Sequence, residues 1–437
     1  MSSTSAFYNT SATSKERAFT PPRLRNNFLW TLSGNVLYAA SQWGILVILA
    51  KLGTPQTVGE LALAFAITAP IMIGTGLSLR GVQATDATSE YPFADYLSLR
   101  LVTTAIAVAL ILGVVWRSGY GWHTSAIILL IGLAKAAESV SDVFYGLFQQ
   151  RERMDTIACS MMARAVLSLV LTAAVIYLSR DLLFGAIFMA AVWTTTLLFY
   201  DIKNGVRMLR ETSARLLEWR PKSLIRLSLL AAPVGIVMAM ISFGSNIPRY
   251  FIEAHLGARE LGIFAALAYP MSAGITIINA LGQSATPRLA RYFAEGDRRA
   301  FSILLFKLLC LGSAVGIAAV VLVIVAGRPI LLLLYRPDYA VYMNTFLWLG
   351  IAAAIGYPAS LLGFGMTAAR YFLAQVPVFA ATTLVTIVGC AILVPRFELF
   401  GAALALSVAA ICQTLGSAAV ILYALSKCCA FYISSAE

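Results

Sequence analysis

Lys135, Glu138, Ser139 and Asp142 follow one another at steps of three, four and seven residues from the lysine, the spacing that stacks side chains on one face of an α-helix. The stretch that carries them, Trp122 to Met154, is otherwise apolar over the length of a bilayer crossing. Ionisable groups cannot face lipid near the bilayer centre unless they are paired or hydrated. This face must therefore look into a cavity or a protein interior. The chemistry it offers is the binding of charge rather than the making of bonds. An ammonium at mid-depth wants an anion, unless Glu138 one turn away already neutralises it. Arg164 lies at matching depth in the next apolar segment. It can pair with Asp142 or Glu138, either along a transport pathway or as a buried link between two helices.

Further candidates stand outside this segment. Arg249 and Glu253 are four residues apart behind Pro248, so they form either an interfacial ion pair or part of the cavity. Asn279 and Gln283, one turn apart, offer hydrogen bonds to sugar hydroxyls or to a neighbouring helix. Arg80, followed by Asp86, and Arg288 with Arg291 flank the side on which the chain begins, where lipid phosphates would be attracted. Pro70, Pro233, Pro270, Pro358 and Pro377 interrupt apolar segments and predict kinks.

The elements that position these residues are membrane spans. Of the 437 residues 60% are hydrophobic and 12% charged, against about 25% charged in soluble domains. The net charge of +12 has its ordinary meaning for a membrane protein, in which Lys and Arg collect in cytoplasmic loops, and is no argument for nucleic acid. Cys159, Cys310, Cys390, Cys412, Cys428 and Cys429 have no CxxC spacing and read as small apolar packing. His123 and His255 are too isolated to make a metal site, and no catalytic set or cofactor motif is found.

Hydropathy predicts an all-α polytopic membrane protein with twelve apolar segments: 28–50, 59–82, 97–117, 122–148, 155–178, 182–202, 223–248, 259–283, 302–326, 343–367, 371–394 and 399–426. The expected organisation is a polar tail over 1–27, a six-helix bundle over 28–202, a basic amphipathic linker over 203–222, a second bundle over 223–426 and a tail over 427–437. The tail Lys15, Arg17, Arg23 and Arg25, together with Lys203, Arg207, Arg210, Arg215, Arg220 and Lys222, puts both termini in the cytoplasm. The longest loop on the other side, 327–342, contains ILLLLYRPDYA and reads as a short interfacial helix. KLGTPQTVGELALAFAI after the first segment parallels HLGARELGIFAALAY after the seventh. Six-span repeats keep their orientation, so two parallel bundles should flank a central cavity.

Six stretches carry a family resemblance: GLSLRGVQATDA (76–87), ESVSDVFYGLFQQRERM (138–154), NIPRYFIEAHLGARELGIFAALAY (246–269), PRLARYFAEGDRRAF (287–301), LLLLYRPDYA (331–340) and VPRFELFGAALA (394–405). The chain resembles the polysaccharide and oligosaccharide-lipid flippases, the Wzx-type O-antigen or exopolysaccharide translocases of the multidrug/oligosaccharidyl-lipid/polysaccharide exporter superfamily. The last stretch departs from the family pattern, with Glu398 near the place of a glycine. The resemblance implies a lipid-linked (undecaprenyl-pyrophosphate) oligosaccharide as substrate. It also implies alternating access across a bacterial inner membrane and no enzymatic activity. A pyrophosphate is then the anion for Lys135, within a cavity shared by Glu138, Asp142, Arg164, Arg249, Asn279 and Gln283, with Arg80, Arg288 and Arg291 at the cytoplasmic mouth.

Two alternatives are carried. A cation-coupled drug or metabolite exporter of the same superfamily would want an acidic, aromatic-lined cavity, and Lys135 and Arg164 weigh against it. A membrane-embedded polysaccharide ligase or polymerase would want a sizeable outer catalytic loop, and the outer loops are short. The expected partners are anionic membrane lipids, a polysaccharide polymerase or chain-length regulator, and H+ or Na+ as coupling ion, carried by Glu138 or Asp142.

Overall fold

The computed structural model describes residues 24–86, 90–211 and 215–433. Most of the tail over 1–27, with Lys15, Arg17 and Arg23, lies outside the described residues, as do linker positions 212–214 and the last four residues. The chain runs through α1 (Leu24–Leu52), α2 (Pro55–Thr75), α3 (Leu79–Thr85), α4 (Phe93–Ser118), α5 (Trp122–Gln150), α6 (Met154–Ser179) and α7 (Leu182–Thr196). A π-helical turn (Leu197–Asp201) leads into α8 (Ile202–Glu211). The second half holds α9 (Pro221–Leu256), α10 (Ala258–Ala294), α11 (Arg298–Leu334), α12 (Pro337–Ala340), α13 (Met343–Ala368) and α14 (Phe372–Ile433).

Ten of these helical stretches are long and apolar enough to cross a membrane. Within α14 the chain reverses at Glu398 (φ 52°, ψ −132°), so this stretch crosses twice. α5, 29 residues long, is not among those ten but has the length of a crossing. The twelve expected crossings are therefore present. Leu178, Val325, Leu333 and Leu373 are among many large apolar side chains turned outward, the band a lipid-facing surface requires. This is a multi-pass membrane protein.

Local chemistry sets the helix ends. Thr54 and Thr57 cap α2 reciprocally, with Pro55 at the first helical position. The second crossing stops at Thr75 rather than running to residue 82, because Leu77 (φ 52°) and Ser78 (φ 49°) take left-handed conformations. The chain then restarts as α3, which swings Arg80 back toward the bundle. The 327–342 loop is also shorter than expected. α11 absorbs it as far as Leu334, capped by the buried Tyr335, and a four-residue helix with the buried Tyr339 follows. α8 carries Lys203, Arg207 and Arg210 on one side and buries Leu209, as the amphipathic linker pattern predicts.

We call the face where α1 begins the basic face. The two halves meet through α2, α9 and α10. On the opposite face the approach is backbone to backbone: a Cβ at Gly59 would lie 1.7 Å from the Ala258 carbonyl oxygen, and one at Gly262 would lie 1.8 Å from that of Pro55. Only glycine permits this seam. Leu261 to Leu267 of α10 are all buried there, whereas nearer the basic face burial falls to one stripe, Ile278, Gly282, Ala285 and Leu289. That stripe joins a separate apolar core with Phe301, Leu305 and Leu361, confined to the second half. The main core runs through both halves and reaches the basic face as well, where it takes in Leu79 and Leu97 of the first half with Leu224, Leu227 and Ala231 of α9. The interior is thus sealed on the opposite face, and the packing of α10 becomes sparser toward the basic face.

Candidate functional site: a cationic cavity between the halves

The charged face of α5 lines a cavity of about 380 Å³, together with residues of α1, α2, α3, α4, α6 and Met238 of α9. Lys135, Glu138, Ser139, Asp142 and Arg164 all border it, as the helical spacing predicts. Of the two alternatives for Lys135, the pair with Glu138 is formed. Lys135 Nζ lies 2.7 Å from Glu138 Oε2, and Tyr38 Oη donates to Glu138 Oε1 at 2.7 Å. The ammonium also sits over the rings of Trp193 (5.0 Å) and Phe65 (5.4 Å). Lys135 is therefore occupied in this state.

Arg164 finds neither Asp142 nor Glu138 as its ion pair. It pairs with Asp201 at 3.3 Å, donates to Ser141 Oγ at 2.8 Å and stacks over Trp193 at 5.2 Å. Both charged groups are buried, with exposures of 2% and 0%. Asp201 closes the π-helical turn, and the extra residue of such a turn re-aims the side chains that follow it. No sequence periodicity encodes that rotation, so the partner could not be read in advance.

Asp142 is held instead by two arginines. Arg80 Nη1 approaches it at 3.4 Å and Arg100 Nη2 at 3.5 Å. Arg80 also donates to Gln149 at 3.2 Å and lies over the Tyr145 ring. Arg100 donates to Ser139 at 3.2 Å, its Nε has no partner, and it is 3% exposed. Sequence reasoning put Arg80 at the mouth and did not single out Arg100. The signal that could have found Arg100 is its place well inside α4. Among the described residues four cations border the cavity, and the carboxylates that take them are Glu138, Asp142 and Asp201. One positive charge is in surplus, and it belongs to the Arg80–Asp142–Arg100 cluster. Its contacts are longer than the 2.7–2.9 Å of tight charge-assisted bonds, so a better acceptor can replace them.

The remaining candidates divide. Arg249 borders a second chamber of about 250 Å³ above Lys135. It hydrogen-bonds Asn246 Oδ1, not Glu253, which accepts instead from Tyr120 at 3.4 Å. Asn279 and Gln283 are on the part of α10 nearer the basic face and border neither chamber. Arg288 is exposed at the basic face, and Arg291 pairs with Glu295 at 3.7 Å. One cluster away from the cavity escaped sequence reasoning: His123 lies between Asp181 (2.9 Å) and Glu60 (3.7 Å) on the opposite face. Asp181 also caps α7 through the Leu183 N–H.

Two halves around a charged cavity, sealed at one face, make an arrangement that solved structures share. The fold matches a lipid II flippase MurJ in an inward closed conformation with a TM-score of 0.72, at 10% identity over 93% of each chain. It also matches an inward-facing multidrug resistance MATE family transporter of the MOP superfamily with a TM-score of 0.69, at 11% identity over 93% of this chain and 99% of that one. The protein shares the fold of these two structures. A family model described as polysaccharide biosynthesis protein matches residues 24–293, and the chain belongs to that family. It is 26% identical over 400 residues to the capsular polysaccharide biosynthesis protein CapF of Staphylococcus aureus, covering 87% of this chain and 95% of the relative.

Proposed function

We propose that the protein is a flippase that carries a lipid-linked oligosaccharide, joined through pyrophosphate to undecaprenol, from the cytoplasmic to the outer leaflet of a bacterial inner membrane. The observation that carries this reading is the surplus cation of the Arg80–Asp142–Arg100 cluster, loosely bonded in the cavity that α5 lines. The excess of Lys and Arg makes that face cytoplasmic, and with it both termini. The pyrophosphate would replace the long contacts to Asp142, and the cleft below would admit the sugar. The bundles over 28–202 and 223–426 then rock about their shared seam in alternating access, with 203–222 as the connection. Arg288 and Arg291 at the mouth would draw anionic headgroups.

A capsular relative and a MurJ-like fold support the reading. A polymerase or chain-length regulator would receive the product. The exporter reading retains the fold, but a cationic drug entering this cavity would be repelled by the surplus arginine. Coupling to H+ or Na+ through Glu138 or Asp142 would require the ion to compete with Lys135, Arg80 or Arg100 for those carboxylates.

The test is reconstitution into proteoliposomes with an undecaprenyl-pyrophosphate oligosaccharide, reading out protein-dependent exposure of the sugar to a lectin at the other leaflet. Efflux of a cationic dye without sugar exposure would overturn the proposal in favour of the exporter.

A further inference from the structure

The interior is divided. The chamber above Lys135 shares only Tyr38 and Lys135 with the larger cavity below. The partition is the bonded set Tyr38–Glu138–Lys135, whose cation is already neutralised and lies over two aromatic rings. That makes it a poor anchor for an incoming anion. The upper chamber has a cation of its own, Arg249 of α9, and no carboxylate among its lining residues. The Arg249 guanidinium donates to the neutral Asn246 and forms no ion pair among the described residues. The one acid within a turn on its helix, Glu253, is taken by Tyr120 from the first half. Tyr250 beside it is likewise engaged, donating to the Ala66 carbonyl. Arg249 is partly exposed, so an anion that enters the chamber meets a guanidinium that no carboxylate neutralises.

The position adds a second argument. Val58, Leu61 and Ala62 of α2 and Ala265 of α10 line the upper chamber, and these same stretches form the glycine-packed seam on the opposite face. Opening that seam would put Arg249 in contact with the opposite side. Opening the Tyr38–Glu138–Lys135 partition would connect it to Arg80 and Arg100. The two cation sites also lie on different halves, Arg80 and Arg100 on the first and Arg249 on the second.

We propose that Arg249 is a second phosphate-binding site, which takes the pyrophosphate of the lipid-linked substrate from the Arg80–Arg100 site once the partition opens and presents it to the opposite face. The inference rests on the flippase reading. In it, Arg80 and Arg100 set capture, and Arg249 sets passage.

The experiment separates those two steps with undecaprenyl pyrophosphate as the probe. Equilibrium binding is measured on purified protein, and flipping is measured in proteoliposomes, for wild type, Arg100→Gln, Arg249→Gln and Arg249→Lys. Arg249→Gln is expected to bind within about threefold of wild type but to flip about tenfold or more slowly, the loss of one charge-assisted contact. Arg249→Lys should recover most of the rate, because a lysine keeps the charge without the guanidinium fork. Arg100→Gln should lose binding first. Equal losses of binding and flipping in Arg249→Gln would reduce the two sites to one and overturn the proposal, as would wild-type flipping. Failure of Arg249→Lys to recover any rate, in a folded protein, would assign the arginine to holding Asn246 and overturn it too. If wild type binds and flips no probe at all, the flippase reading itself falls.

Discussion

Charge balance in the lower cavity makes opposite predictions for two neighbouring residues. Asp142 lies 3.4 Å from Arg80 and 3.5 Å from Arg100. At an effective dielectric of 20, a pair at that distance interacts by about 5 kcal/mol. Asp142 is a third exposed, so screening brings the useful figure down to about 1–3 kcal/mol. Arg100→Gln removes the surplus charge and leaves Arg80 matched to Asp142. A pyrophosphate would then bind about 10- to 100-fold more weakly, at 1.4 kcal/mol per tenfold. The fold should survive, because the arginine Nε lacks a partner and Asp142 keeps Arg80. Asp142→Asn does the reverse: it frees both arginines, tightens binding by about tenfold or more and slows release. The assay is binding of undecaprenyl pyrophosphate to purified protein over a salt series, with flipping in proteoliposomes alongside. The salt dependence should steepen in Asp142→Asn and flatten in Arg100→Gln. Affinities that move in the same direction, or not at all, would refute the charge argument.

Three further predictions concern the scaffold. Gly262→Leu cannot fit against Pro55, so it should wedge the opposite-face seam open; cysteines placed across α2 and α10 should then crosslink less there and react more with an impermeant thiol reagent from that side. Arg164→Leu or Asp201→Leu alone leaves an uncompensated buried charge and should cost about 3–5 kcal/mol, while the double replacement recovers much of the thermal stability. Asp181→Ala removes the α7 cap and should cost about 1 kcal/mol at neutral pH. Burial works against the Asp181 carboxylate, but the Leu183 N–H and His123 outweigh it and hold its pKa below the usual value. A depressed carboxylate stabilises fully above its unfolded pKa of about 3.9 and loses that contribution as pH falls through the folded value. The gap in melting temperature between Asp181→Ala and wild type should therefore be constant at higher pH and close in acid.

The glycine that the family pattern leads one to expect near residue 398 is replaced by Glu398, yet the backbone there keeps the positive φ of the glycine turn. The reversal is imposed by the two helices packed on either side of it, with Ala405 against Gly389 and the Leu393 carbonyl against Gly401. Local preference gives way to packing here.

Sequence alone determined the number of crossings, the shared face of Lys135, Glu138 and Asp142, and the surplus of positive charge in the interior. Each follows from a quantity carried along one helix: length against bilayer thickness, and the 3.6-residue period. Which charge meets which was decided only by the tertiary structure. Arg164 reaches Asp201 because a π-helical turn rotates the end of the sixth crossing. Arg80 reaches Asp142 because two left-handed residues fold α3 back, and Arg100 meets them from a third helix. Pairing depends on backbone turns and on distances between elements far apart in the chain, and the periodicity of a single segment contains neither. The feature that first stood out, Lys135, is thereby moved from the anchor of an anion to the partition between two chambers.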